Sequence, residues 1–114
     1  MEADELLRQY KAGERDFQGI SLEKEDLSGV DLARADLSQA YLNQVDLANA
    51  NLSDTDLSEA YVNQVDLTGA DLRESNLTDA TLCFEDLSDA DLSEADLSGA
   101  KLRGTTMPDG TDHE

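Results

Sequence analysis

The sequence predicts an all-β solenoid, a chain wound into short coils that stack on one another. Apolar residues recur every five positions from Phe17 to Leu102, and a longer recurrence appears every twenty residues. The same apolar positions would ring an α-helix instead of forming one dry face, so a helical fold is excluded. An internal repeat of this kind is typical of solenoids.

The recurrence of five residues is nearly unbroken along the repeats. Its 18 successive central sites hold 16 leucines, one phenylalanine and one valine. A second series, mostly alanine and valine, lies two residues before these sites. Residues two apart point to the same side of an extended strand, so both series are expected to face inward. Each pentapeptide is therefore predicted to form one short side and one corner.

The recurrence of twenty residues predicts four sides to a coil. Residues 40–47 read Ala-Tyr-Leu-Asn-Gln-Val-Asp-Leu, and residues 60–67 repeat them with a single change from Leu to Val. Stacking one full coil on the next would select such a recurrence.

The pattern Ala-Asp-Leu-Ser-x, present at residues 35–39 and 95–99, resembles the pentapeptide-repeat family. The resemblance covers about residues 15–104. It implies a right-handed quadrilateral parallel β-helix of about 4.5 coils, with the central leucines and the preceding small residues inside. The uninterrupted, leucine-centred pattern is similar to a bacterial, often cyanobacterial, group in which many members have no known function.

Both ends of the chain break the repeat. The first region is predicted to form a short helix that lays Leu6, Leu7 and Tyr10 over the open first coil. The last region is expected to hold a turn at Pro108 and a flexible tail. The three predicted regions are residues 1–14, 15–104 and 105–114.

The composition excludes several classes of function. The chain has 114 residues, a net charge of −19, one cysteine and one histidine, His113. We predict no enzyme activity, no cofactor, and no catalytic or metal-binding residues, because nucleophile–base pairs and ligand clusters are missing from the sequence. Direct nucleic-acid binding is excluded, since it needs a basic surface. No apolar run is long enough to serve as a signal peptide or to cross a membrane, so we expect a cytoplasmic protein.

Acidic residues precede most central leucines and are predicted to stack in two columns, here called the acidic ladders. Neighbouring carboxylates in a ladder would lie about one strand spacing apart, where they repel one another. The ladders could form a negative surface for a basic partner, bind Ca²⁺ weakly, or simply solubilise the chain while bonding to local turns. Their members are Asp26, Asp46, Asp66 and Asp86 in the first, and Asp31, Asn51, Asp71 and Asp91 in the second.

Three aromatic residues are the candidate contacts with a partner. Tyr41 and Tyr61 fall one coil apart on an outward position that is otherwise often aspartate, and they are expected to stack. Phe84 falls outward in register with two glutamines. Either the coil distorts at Phe84, or its ring packs near Tyr61, or it anchors a partner.

Two glutamates, Glu25 and Glu85, occupy the inward series. A buried carboxylate is costly, so each is expected to be neutral, hydrogen-bonded or near an open end. The sequence leaves their burial open. Cys83 is predicted to point outward, with no neighbour that would activate it.

The expected function is that of an acidic, non-catalytic scaffold that binds another protein. We expect a monomer, or a weak end-to-end or side-by-side dimer. The resemblance implies an alternative, because some pentapeptide-repeat proteins resemble DNA in shape and charge, bind DNA gyrase and compete with DNA. Those proteins are longer rods whose coils are interrupted by loops.

Overall fold

In the computed structural model, which describes residues 1–111, a short helix is followed by a stack of coils. The end of the predicted flexible tail, which contains His113, lies outside the described residues. Helix α1 spans Ala3–Lys11, and the strands are β1 at Ser21–Glu23, β2 at Tyr41–Asn43 and β3 at Tyr61–Asn63. The strands form a parallel sheet in the order β1-β2-β3.

Each coil is twenty residues long. In the sheet, Tyr41 pairs with Ser21 on one side and with Tyr61 on the other. Single parallel bridges with the same spacing run along all four sides of the stack, and the last of them joins Asp86 to Thr106. The predicted parallel solenoid is therefore confirmed. The bridge at Thr106 lies just beyond residue 104, where the repeats were predicted to end.

The central residues fill the interior of the coils. From Leu22 to Leu87 each leaves at most 4% of its surface exposed, whereas Leu92 and Leu97 in the last coil are half-buried. Alanines of the inward series, such as Ala50, are fully buried beside them. Full burial of a leucine contributes roughly 1.5–3 kcal/mol, so this column of side chains is the main source of stability.

The corners of the coils impose an unusual backbone conformation. The residue two positions after each central residue has a positive φ, and thirteen of these corner residues are not glycine. Their φ angles run from 54° at Gln64 to 66° at Arg34. A side chain with a Cβ is crowded by its own backbone at such a φ, at a cost of roughly 1 kcal/mol. The packing of the sides outweighs this cost at each corner.

Gln39→Gly should stabilise the protein by about 0.5–1 kcal/mol. Gln39 is exposed and has a φ of 60°, so glycine removes the steric cost and loses no buried contact. The check is urea denaturation, with Gln18→Gly as the control. Gln18 is also exposed but lacks a positive φ, so its replacement should destabilise the chain instead. Equal effects at the two positions would contradict the assignment of strain to the corners.

Helix α1 covers the N-terminal end of the solenoid. Leu6 is fully buried, and Leu7 and Tyr10 are half-buried against the first coil. The Tyr10 hydroxyl donates a 2.8 Å hydrogen bond to the Ala33 carbonyl, and the Arg15 guanidinium lies 3.7 Å from the centre of the Tyr10 ring. These contacts fix the helix on the coil and shield the apolar interior from water.

Candidate functional site

The four sides of the coil form four faces, and the pairing register assigns each outward residue to one of them. The face that contains β1, β2 and β3 carries three exposed aromatic residues, so we call it the aromatic face. Its members are residues 21–24, 41–44, 61–64, 81–84 and 101–104.

The structure brings two of the predicted contact residues together. The rings of Tyr41 and Tyr61 are parallel, with their centres 5.2 Å apart and an angle of 3° between their planes. Each tyrosine remains 43% exposed. Stacking fixes the two rings on the surface before any partner binds, so little side-chain freedom is left to lose.

Phe84 lies on the same face, one coil beyond Tyr61, and is 75% exposed. Its ring lies against Gly104 of the next coil, where a side chain at position 104 would collide with it. Phe84 is also a corner residue, with a φ of 62°. The ring is thus an isolated apolar projection rather than part of the tyrosine stack.

A pair of asparagines between these aromatic residues was missed by the sequence analysis. The Asn63 side-chain amide donates a 2.8 Å hydrogen bond to Asn43 Oδ1 across adjacent coils. Both residues lie in the segment that recurs after twenty residues, and this recurrence could have revealed the pair. The bond makes the middle of the aromatic face flat and polar but uncharged.

Negative charge is scarce on the aromatic face. Glu23 is its single acidic residue in the sequence, whereas Lys24, Lys101 and Arg103 are basic, and all four side chains are exposed. Each coil contributes one row of residues to this face, from residues 21–24 in the first row to residues 101–104 in the last. The bases lie in these two rows, and the aromatic residues lie in the rows between them.

Within residues 1–111, each of the other three faces carries six outward acidic residues. The face after the aromatic face holds Asp26, Asp46, Asp66, Asp86, Asp89 and Asp109. The next holds Asp31, Asp54, Asp71, Glu74, Asp91 and Glu94, and the last holds Asp16, Asp36, Asp56, Glu59, Asp79 and Asp96. The bridges place the two predicted acidic ladders on the first and the second of these faces.

Aspartates of the ladders bond to their own turns. Asp66 Oδ1 accepts hydrogen bonds of 3.0 Å from the backbone N–H of Thr68 and 2.7 Å from its hydroxyl. Asp86 accepts the same two bonds from Ser88, and they lower the pKa of the Asp86 carboxyl below its ordinary value. An ionised aspartate is therefore part of the corner it precedes.

Arg73 is a base within the second acidic ladder. Its guanidinium donates hydrogen bonds of 2.9 Å and 2.8 Å to the two oxygens of Asp71, and its Nε lies 4.0 Å from Asp91 Oδ2. The hydrogen bonds from Arg73 lower the pKa of Asp71. Arg73 is exposed and Asp71 is half-buried, so the pair interrupts the negative column but adds little stability.

Asp66→Asn should raise the melting temperature at low salt and change it little at high salt. Asp66 stacks between Asp46 and Asp86, so an uncharged side chain removes repulsion of up to about 1 kcal/mol per pair. The turn is retained, because Asn51 already accepts the same bonds from Ser53. The measurement is thermal unfolding at ionic strengths of about 0.01 M and about 1 M, where the Debye length falls from roughly 30 Å to 3 Å.

Asp31→Asn is the matched control for this substitution. Asp31 accepts the same backbone bond, here from the Ala33 N–H, but its bridge partner in the next coil is Asn51, so its removal relieves no stacked pair. Added salt should also raise the melting temperature of the unmodified chain. Identical behaviour of the two variants at low salt would show that stacking contributes nothing.

Glu85 is a buried carboxyl group with one unpartnered oxygen. The residue is 4% exposed, and its Oε2 accepts a 3.0 Å hydrogen bond from the backbone N–H of Val65. Its Oε1 has no hydrogen-bond partner among residues 1–111. Burial raises the pKa of Glu85 to about 7, although the amides of Val65 and Gln64 oppose the shift.

The Glu85 side chain replaces part of the regular backbone ladder. Earlier in the stack, Lys24 donates its backbone N–H to the Asn43 carbonyl, and Gln44 donates to the Asn63 carbonyl. The next residue of this column, Gln64, makes no such bond to a backbone carbonyl among residues 1–111, and its N–H lowers the pKa of the Glu85 carboxyl instead. The structure therefore has a local distortion beside Phe84, one of the possibilities that the sequence left open.

Glu25 occupies the same column as Glu85 but has a different environment. It is only partly buried, and its Oε1 accepts a 2.8 Å hydrogen bond from the backbone N–H of Ala3, in the first turn of α1. Glu2 precedes the helix without a side-chain bond to it, so Glu25 supplies the missing cap from the solenoid.

Cys83 is half-buried on the aromatic face. Within residues 1–111, no three carboxylate, thiol or imidazole side chains come together in a way that could hold a metal ion. No helix in this described part of the chain is long and apolar enough to cross a membrane.

Comparison with known families identifies the repeat. The model of pentapeptide repeats matches in eight copies, over residues 16–49, 26–64, 50–83 and 70–107. The chain belongs to the pentapeptide-repeat family. No curated protein sequence is similar to this pentapeptide-repeat protein.

Solved structures of other pentapeptide-repeat proteins have the same fold. A protein from the thylakoid lumen of Arabidopsis thaliana is 27% identical with a TM-score of 0.75, over 79% of this chain and 63% of that one. Trypsin-treated QnrB1 R167E, a plasmid-mediated fluoroquinolone resistance protein, is 20% identical with a TM-score of 0.66, over 79% of this chain and 46% of its own. This pentapeptide-repeat protein thus spans less than two thirds of either neighbour, and the shared β-helix confirms the predicted fold class.

Proposed function

We propose that this pentapeptide-repeat protein is a cytoplasmic, non-catalytic scaffold that holds other proteins on its outer faces. The observation that carries the proposal is the separation of surface chemistry by face. Three faces are acidic, and the aromatic face combines exposed rings with little negative charge. Aromatic residues are enriched at protein interfaces and charged residues are depleted at their centres.

Tyr41, Tyr61 and Phe84 are the proposed contact residues. The tyrosine rings are held parallel, and Phe84 projects with three quarters of its surface exposed. Large rings on a rigid coil provide contact area at a small entropic cost, which is typical of residues that dominate binding energy. The surrounding acidic faces would repel acidic proteins and so direct a partner to this face.

Affinity capture from a cell extract tests the proposal. The bait is the full chain, compared with the triple variant Tyr41→Ser, Tyr61→Ser, Phe84→Ser. A second bait, Asp54→Ser, Glu74→Ser, Glu94→Ser, is the control, because it changes three exposed residues on an acidic face. We expect the aromatic variant to lose specific partners that the control retains. Retention of every partner by the aromatic variant would overturn the assignment of these residues.

Competition with DNA for DNA gyrase is the second candidate function, and charge density favours it. The sequence has 27 acidic and 8 basic residues. Asp112 and Glu114 lie outside the described residues, so the described part has 25 acids and 8 bases, a net charge of −17. Along the longest dimension of 39 Å this is about one negative charge every 2.3 Å, compared with roughly one every 1.7 Å in B-form DNA. The likeness to QnrB1 supports the fold alone.

A gyrase supercoiling assay at two salt concentrations tests this candidate. If the acidic faces imitate DNA, the protein should inhibit supercoiling at micromolar concentration or below, and added salt should weaken the inhibition. The triple variant of the acidic face should inhibit less than the unmodified chain. Unchanged supercoiling at a large molar excess of protein would exclude this candidate.

A further inference from the structure

Two copies of this chain repel each other on most of their surfaces. Each copy carries a net charge of −19, and in the described part of the chain three faces present six acidic residues each. On the aromatic face the sequence has a single acid, Glu23, against three bases. This face is therefore where two copies can approach with the least electrostatic cost.

We propose that the aromatic face is a dimerisation surface, on which a second copy of this chain docks with its solenoid axis antiparallel to the first. The inference rests on the proposed scaffold function and names the partner of that face. In an isologous pair, the same residues of both copies form the contact around a two-fold axis.

The rows of the face decide the orientation of the two copies. A two-fold axis parallel to the strands at the level of Tyr61 brings the first row of one copy onto the last row of the other. Glu23 then faces Arg103 of the second copy. Of the remaining bases, Lys24 meets Gly104, and Lys101 meets Ser21, whose carbonyl accepts a 3.0 Å hydrogen bond from the N-terminal ammonium of Met1.

An axis parallel to the solenoid gives a less favourable pairing. Each row then meets the same row of the second copy, so that Glu23 approaches Glu23 and Arg103 approaches Arg103. Like charges at these positions cost free energy that the antiparallel pair avoids. In the antiparallel pair the centre of the contact is formed by Tyr61 against Tyr61, next to the uncharged Asn63.

The size of the face predicts a weak dimer. The rows from Ser21 to Lys101 span four strand spacings, about 19 Å, and the narrower dimensions of the protein are 23 and 19 Å. Two such faces cover roughly 800 Å² together, which is below the roughly 1,200 Å² of stable complexes. We therefore expect dissociation constants of about 10–100 μM, as in transient contacts.

Salt distinguishes this dimer from a complex with a basic protein. The two copies attract through apolar contact and repel through their net charge, so screening should favour the dimer. A basic partner on the acidic faces would be released by the same addition of salt.

Sedimentation equilibrium of the full chain, at low and high ionic strength, tests the proposal. We expect a monomer–dimer equilibrium whose association constant rises with salt. Tyr61→Ser, at the centre of the contact, should lower that constant about tenfold. Circular dichroism checks that the variants remain folded, which is expected because each replaced side chain is substantially exposed.

A charge swap tests the antiparallel orientation. Glu23→Arg and Arg103→Glu should each weaken the dimer several-fold, and the double variant should restore association close to that of the unmodified chain. Glu94→Arg is the control, since it changes the net charge as Glu23→Arg does but lies on an acidic face. By reducing repulsion, the control should strengthen the dimer slightly.

Two results would overturn the dimer. One is a monomer at about 1 mM protein and high salt, ten times the weakest dissociation constant expected. The other is association that Tyr61→Ser and Arg103→Glu leave unchanged. Failure of the charge swap to restore association would overturn the antiparallel orientation. If the chain is monomeric but the aromatic triple variant still loses captured partners, the scaffold proposal stands and the dimer does not.

Discussion

Glu85→Val should stabilise the protein by about 3 kcal/mol at pH 8 and by much less near pH 4.5. Glu85 has a pKa of about 7 in the folded chain, against an ordinary value of 4.5, and each pKa unit corresponds to about 1.4 kcal/mol. Valine already fills this column at Val45 and Val65. A valine at position 85 therefore fits the coil and leaves Gln64 free to donate to the next coil.

The sign of the pH dependence follows from the raised pKa. Below about pH 4.5 the Glu85 carboxyl is largely protonated in both the folded and the unfolded chain, so its ionisation has little effect on stability. As the pH rises towards 7, the unfolded chain ionises first, and the folded state loses stability relative to it. Above about pH 8 both states are ionised, and the loss is complete and constant. The difference in unfolding free energy between the variant and the unmodified chain should follow this curve.

Urea denaturation at several pH values between 4.5 and 8 measures the effect. Glu85→Gln should show the same pH dependence as Glu85→Val, because it also removes the titrating group while retaining an oxygen for the Val65 amide. Glu74→Gln is the control for the loss of one exposed negative charge. Parallel stability curves for the unmodified chain and Glu85→Val would mean that Glu85 ionises as it does in water.

Leu52→Ala should lower the free energy of unfolding by about 2–5 kcal/mol. Leu52 is 1% exposed and lies between Leu32 and Leu72 in the middle of the stack, so truncation leaves a cavity that the rigid coils cannot close. Leu97→Ala should cost at most half as much, since Leu97 is half-buried in the last coil. Urea denaturation of both variants measures the difference. Equal losses would contradict a stack in which each coil is supported by its two neighbours.

The course of the coil was predictable from the sequence because its cause is local. Every pentapeptide repeats the same inward pair, and the recurrence of twenty residues sets which pentapeptides stack. Tyr41 and Tyr61 could therefore be placed one above the other before their stacking was observed. When the sequence is written in rows of twenty residues, Glu23 is the single acidic residue in the columns that form the aromatic face.

The corners and the glutamates were not predictable in the same way. Gln, Glu, Lys and Arg at the corners give no sign of a positive φ, because the packing of the sides imposes it on them, whereas glycines in the same register, such as Gly29 and Gly69, are typical of it. Glu25 and Glu85 share a column, yet Glu25 caps α1 whereas Glu85 is buried against a neighbouring coil. Their burial depends on what lies next to them along the stack, which the residue type alone does not specify.

The coil of twenty residues also governs which changes in length the molecule tolerates. Insertion or removal of twenty residues within the stack adds or removes one coil and leaves every later side chain on its own face. An insertion of five residues retains the inward leucines but rotates all later residues by a quarter turn. Phe84 would then leave the side that carries Tyr41. The arrangement of residues on the surface is therefore retained only when the chain changes length by a whole coil of twenty residues. The core is retained when it changes by a single pentapeptide.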